Sequence, residues 1–252
     1  MIGIIGGTGL YRMAELQVTE VREVSTPFGP PSSPVMLGVL GQRRVAFLAR
    51  HGLHHDLLPS EINFRGNIWA LKSVGVRTVI VRAASFFGRG LVAHISTAQP
   101  VCRATAALIA RSARSLGMPV HEDRTYACVE GPRLGTRAES FFLRGAGADI
   151  VGMTNVPEAF LALEAQLGYC TIALATDYDC WLDDAAQHVS AEQVIGLFRS
   201  NLTHVQRLIA QLTAEYVDDE SRPCRRALRS AVVTPREQMT NEQRAVVDFL
   251  AA

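Results

Sequence analysis

Residues 126–181 read YACVEGPRLGTRAESFFLRGAGADIVGMTNVPEAFLALEAQLGYCTIALATDYDCW. The run from Tyr126 to Val129 is short and β-type, and Glu130-Gly131-Pro132 ends it. Thr136 with Glu139 three residues later is a capping box, so a helix is predicted over 138–144, and Gly145 and Gly147 stop it. Residues 148–151 form a second strand that runs into Gly152-Met153-Thr154-Asn155. Pro157-Glu158 then stands where the first turn of a further helix tolerates proline and favours negative charge. The apolar run 170–175 closes the unit as a third strand. Strands alternating with helices in this way predict an α/β fold.

In such a unit the loops after parallel strands open on one side of the sheet, where ligands bind. The polar residues there become candidates together: Glu130 and Arg133, then Met153 and Thr154, then Thr176, Asp177 and Asp179. Each also has a plain structural reading, with Glu130 and Arg133 as a surface pair and Thr154 as a helix cap. Their common placement at successive strand ends favours a site.

Towards the N-terminus, residues 1–5 form a strand ending at Gly6-Gly7-Thr8-Gly9. Glycines after a strand let backbone N–H groups approach an anion, although this loop lacks the lysine of a P-loop and the third glycine of a dinucleotide fingerprint. The proline-rich Thr26-Pro27-Phe28-Gly29-Pro30-Pro31-Ser32-Ser33-Pro34 reads as an ordered loop between hairpin strands. A strand over 44–49 delivers Arg50-His51-Gly52, a guanidinium and an imidazole suited to an oxyanion. HGLHH lacks a helical histidine pair with an acidic partner, so no metal site is expected. A helix over 61–73 buries Ile62, Ile68, Trp69 and Leu71; a strand follows over 77–84 and a helix over 104–116. Ser190 with Gln193 is a second capping box, opening a helix to about Tyr216; residues 224–252 read as helix, a short extended piece at Val232-Val233, and helix.

With 48% hydrophobic and 19% charged residues over 252, the chain is expected to fold as one soluble domain, 1–252. A net charge of +1 implies neither nucleic acid nor an anionic membrane as partner, and Arg222, Arg225, Arg226 and Arg229 read as a solvated helix face. Five scattered cysteines without a CxxC argue against a disulfide framework or zinc site, and Cys128 and Cys170 read as small hydrophobes in strands. No leader-like or membrane-spanning run is seen, so the cytoplasm is expected.

The motifs IGIIGGTGL (2–10), TPFGPPS (26–32), FLARHG (47–52), INFRGNIWALK (62–72), EGPR (130–133), GADIVGMTNVPEA (147–159) and ATDYDCW (175–181) occur in one order along the chain. Jointly they resemble the S-methyl-5′-thioadenosine phosphorylases of the trimeric purine nucleoside phosphorylase family. The resemblance implies a single domain with a mixed central β-sheet flanked by helices. It also implies a pentosyl-transferring enzyme of purine and methionine salvage, which uses inorganic phosphate to release adenine and form 5-methylthioribose 1-phosphate. Carried over by position, Thr8, Arg50, His51, Ala84 and Thr154 would hold phosphate, Met153 would pack under the ribose, and Leu134 on the sugar or base. Asp177 would protonate N7 of the leaving purine, as an enclosed carboxyl with a raised pKa can, and Asp179 would accept the 6-amino hydrogens. His94 would reach an apolar 5′ pocket of a neighbouring subunit in a homotrimer. No metal or organic cofactor is implied.

The chain departs from this pattern at one place. Between Ala84 and Ser85 the family carries a further block: a small-residue turn that contacts phosphate and base, a glycine-proline-acidic turn and a core strand. Here Ala84 runs directly into SFFGRG, and Arg82-Ala83 stand where the family has small hydroxyl residues. A weakly active or non-catalytic nucleoside-binding descendant, or a phosphorylase for another purine nucleoside, is therefore the alternative. A nucleotide-binding oxidoreductase would need the full glycine fingerprint and an acidic ribose anchor, and the sequence has neither.

Overall fold

The structure, a computed structural model, describes residues 1–6, 16–54, 56–76, 85–182 and 191–252, with the backbone alone at 191–195 and 198–200. Thr8 and its glycine loop, His55, the strand expected over 77–84 with Ala84 at its end, and the cap expected at Ser190 lie outside the described residues. Four strands form a mixed sheet: β1 (Ile2–Gly6), β2 (Leu16–Arg22), β3 (Val35–Leu40) and β4 (Arg43–Ala49), in the order β1-β4-β3-β2. β4 runs parallel to β1 and antiparallel to β3, so both its edges are paired and Val45 to Ala49 are wholly buried. This is why VAFLA is continuously apolar rather than alternating. β2 is the outer edge, broken by a register shift between Val18 and Glu20 and solvent-facing at Val18 and Val21.

Helix α1 (Phe64–Ser73) begins three residues later than the Pro59-Ser60 signal suggests, because Asn63 is its cap. The Asn63 side chain accepts from the Gly66 N–H (3.0 Å) and donates to the carbonyls of Phe28 and Pro30 (2.8 Å each). A Cβ on Gly66 would lie 2.7 Å from Asn63 Nδ2, so this close approach requires glycine. Buried Asn67 accepts from the Ser32 N–H (2.6 Å) and donates to Ser32 Oγ (2.9 Å), while Ser33 Oγ accepts from the Ala49 N–H. The proline-rich loop is thus clamped between α1 and the end of β4, next to Arg50.

Helix α2 (Arg103–Ser115) precedes a second, two-stranded parallel sheet of β5 (Tyr126–Cys128) and β6 (Ile150–Gly152). Between them lies α3 (Arg137–Gly145), opened by the capping box of Thr136 and Glu139. Then follow α4 (Glu158–Glu164), α5 (Ala191–Glu215) and α6 (Asn241–Ala251), the last with a capping box of Thr240 and Gln243 that the sequence reading passed over. One core joins these parts: Leu48, Ile68, Leu71, Leu161, Leu167, Tyr169 and Leu250 all belong to it, and Phe249 stacks on Trp69 at 4.0 Å.

Two local expectations need correction. The run 170–175 enters no ladder, so the closing strand of the β-α-β-α-β unit has no hydrogen-bonded neighbour among the described residues. The helix expected from Cys224 is only the 3-10 turn Pro223–Arg226, and of the four arginines expected as a solvated face only Arg226 and Arg229 are exposed. Arg225 is buried and paired with Asp218; Arg222 donates to the Val217 carbonyl (2.6 Å). A proline and a buried guanidinium anchored to the end of α5 hold the segment in a turn rather than a regular helix.

Candidate active site

Arg50 leaves the end of β4, its backbone N–H bound to the Gly6 carbonyl (3.0 Å). Its Nη2 donates to both carboxylate oxygens of Glu158, at 2.8 and 3.3 Å. Glu158 is in the first turn of α4, and its side chain is only 1% exposed. Arg50 Nε is buried without a partner among the described residues. Beside Arg50, His51 contacts the Leu57 carbonyl through Nδ1 (2.9 Å), so that nitrogen carries the proton.

Thr154 follows β6 and hydrogen-bonds to Tyr126 at the start of β5. The next residue, Asn155, accepts through Oδ1 from the buried Tyr169 hydroxyl (2.5 Å) and from the Thr171 hydroxyl. This network ties the loop ahead of α4 to the 170–175 segment. Arg50, Glu158, Thr154, Asn155 and Thr176 line one cavity of about 480 Å³, whose remaining wall is chiefly apolar and includes Ile2 and Ile4 of β1 and Ile172 and Leu174. Two strand ends more than 100 residues apart, at Ala49 and Gly152, thereby share a wall.

Other predicted residues lie elsewhere. Met153 packs on Gly131, where a Cβ would sit 2.4 Å from its sulfur. Asp177 is exposed in the single chain, where the sequence reading expects an enclosed carboxyl, because no element among the described residues covers the loop that follows the 170–175 run. Its Oδ2 accepts from the Thr176 hydroxyl (2.6 Å) and its Oδ1 from the Asp179 N–H (2.8 Å), with Asp179 in the left-handed region at φ 59°. Arg133 is bound to Glu139 at 2.6 and 2.8 Å, a surface pair with a different partner from Glu130. His94 and Leu134 are exposed, and the His94 backbone N–H donates to the Ala231 carbonyl.

Residues 81–217 match the family model described as the phosphorylase superfamily. The chain belongs to that superfamily. It is 39% identical to the S-methyl-5′-thioadenosine phosphorylase of Geobacter sulfurreducens, across 99% of this chain and 97% of the relative. That alignment spans 279 positions against 252 residues, so at least 27 positions have no residue of this chain opposite them. Among solved structures, a methylthioadenosine phosphorylase from an antarctic soil metagenomic library superposes with a TM-score of 0.89 at 39% identity, covering 99% of this chain and 98% of the other. An adenosine/methylthioadenosine phosphorylase variant of Schistosoma mansoni, solved with adenine, gives 0.81 at 29% identity over 98% and 97%.

Within this phosphorylase fold the sequence reading missed Glu158, Asn155, Tyr126 and Tyr169. Pro157-Glu158 reads locally as a helix start, and nothing in its surroundings reveals that Arg50, 108 residues earlier, is its partner. Burial pushes the Glu158 carboxyl up from 4.5 to about 7, against the pull of Arg50. Between these values the folded chain binds a proton that the unfolded chain has released. Its stability contribution is therefore full below pH 4.5 and is lost as pH rises through 7. Buried Glu164 shifts the same way. Urea titrations are expected to show stability rising on acidification from pH 7 to pH 5.5, by at most about 1.4 kcal/mol per pH unit for each proton. Glu158→Gln should flatten that slope, and an unchanged slope would refute the assignment.

Proposed function

We propose that this chain catalyses phosphorolysis of S-methyl-5′-thioadenosine. A near-full-length likeness to methylthioadenosine phosphorylases supports the substrate. The observation that carries the chemistry is the convergence of the Arg50 guanidinium and Thr154, from two separate sheets, on one cavity at strand ends. A guanidinium beside a threonine hydroxyl suits a phosphate dianion. In this reading Thr8, His51 and the residues around Ala84 complete the phosphate site, Met153 and Leu134 contact the nucleoside, and His94 serves a neighbouring subunit of a homotrimer.

A phosphate oxygen attacks C1′ as the C1′–N9 bond breaks, and the bond's electron pair leaves with the purine. Asp177 gives N7 the proton that makes the base neutral, and Asp179 accepts from the 6-amino group, so two acceptors face adenine and disfavour a 6-oxopurine. Inorganic phosphate is the co-substrate, and the reading assigns no metal or organic cofactor. Free thiols at all five cysteines suit a reducing cytoplasm, and no described helix is long and apolar enough to cross a membrane.

A second reading, a nucleoside binder with crippled turnover, is favoured by the uncovered positions in the alignment. A coupled assay of adenine release with and without phosphate separates the two. Phosphate-dependent release supports the enzyme; calorimetric uptake of methylthioadenosine with no release at millimolar phosphate supports the binder.

A further inference from the structure

Taking Arg50 as a phosphate ligand, we infer that Glu158 is the positioning residue that aims the Arg50 guanidinium at the anion. The arginine backbone is fixed by its bond to Gly6, but its long side chain would otherwise sample several rotamers. Glu158 removes that freedom by holding one guanidinium nitrogen with both carboxylate oxygens. The carboxylate is itself held, because α4 starts from a loop whose Asn155 is bonded to Tyr169 and Thr171, and the Asn155 carbonyl accepts from the Ala159 N–H.

The rest of the guanidinium is not spent. Nε is buried and has no acceptor among the described residues, and the side chain forms part of the wall that Thr154 also lines. A buried donor without a partner carries a desolvation cost that an incoming acceptor removes. An anion at this wall meets the guanidinium charge, while Glu158 keeps Nη2 anchored. A buried ion pair is by itself weak support for stability, which leaves orientation as the benefit of burying these two charges together.

The test uses the full chain, with initial rates of adenine release at varied phosphate and calorimetric titration with inorganic phosphate. Glu158→Gln is expected to raise the KM and Kd for phosphate about tenfold or more, with kcat at saturating phosphate and the nucleoside KM within about twofold. Glu158→Asp, which keeps the charge at shorter reach, should show the same selective change at roughly threefold, and it carries the test if the glutamine variant does not fold. Parallel losses in kcat and both KM values, or no change, would overturn the positioning role while leaving phosphate use intact. Wild-type protein that takes up no phosphate calorimetrically would instead overturn the phosphate reading, and this inference with it.

Discussion

At limiting phosphate, the 252-residue chain is expected to release adenine roughly a hundredfold to ten-thousandfold more slowly than its Geobacter relative. The motif pattern places the missing block between Ala84 and Ser85, and the alignment leaves at least 27 positions of its span unmatched by this chain. That block carries, by resemblance, a small-residue turn on the phosphate. Each charge-assisted donor lost there should cost about 1.5–3 kcal/mol. Two such losses give the stated range at tenfold per 1.4 kcal/mol. Inserting the relative's block after Ala84 should restore the rate, chiefly through the KM for phosphate. A wild-type rate within tenfold of the relative would show that the block is dispensable.

Asp177→Asn is expected to lower turnover by about a hundredfold or more, the usual scale for a lost general acid. The change is chemically selective. An asparagine can still accept the Asp179 N–H through its carbonyl oxygen, so the turn survives while the titratable proton is gone. Asp179→Asn should keep most turnover and shift preference towards 6-oxopurines, since its amide can donate to a carbonyl. The left-handed backbone at this residue also accommodates asparagine. Steady-state rates on methylthioadenosine and a 6-oxo analogue decide this, and equal losses for both variants on both substrates would refute the division of roles.

The amphipathic and capped segments were legible because their signals are local. Thr136 and Glu139 satisfy each other's backbone partners within one turn, and the apolar run 45–49 announces a strand covered on both faces. α1 was misplaced at its start because its cap, Asn63, is chosen by the carbonyls of a loop more than 30 residues earlier. The arginine cluster near 225 misled for a similar reason: Arg225 is buried by its bonds to Asp218 and the Gln166 carbonyl.

For the candidate site, residue types and their positions after strands follow from the sequence by itself: Arg50 and His51 at the end of β4, Thr154 after β6, and the aspartates beyond 175. The family follows too, because its motifs are read in order without any contact being known. Only the tertiary structure decides which of these groups meet. Arg50 and Thr154 share a wall because β4 and β6 end on one cavity, and Glu158 joins them because α4 brings its first turn beneath the guanidinium. Strand pairing is likewise non-local. The run 170–175 has every side chain a buried strand needs, yet a strand exists only where a neighbouring backbone offers its N–H and C=O groups, and here none does among the described residues.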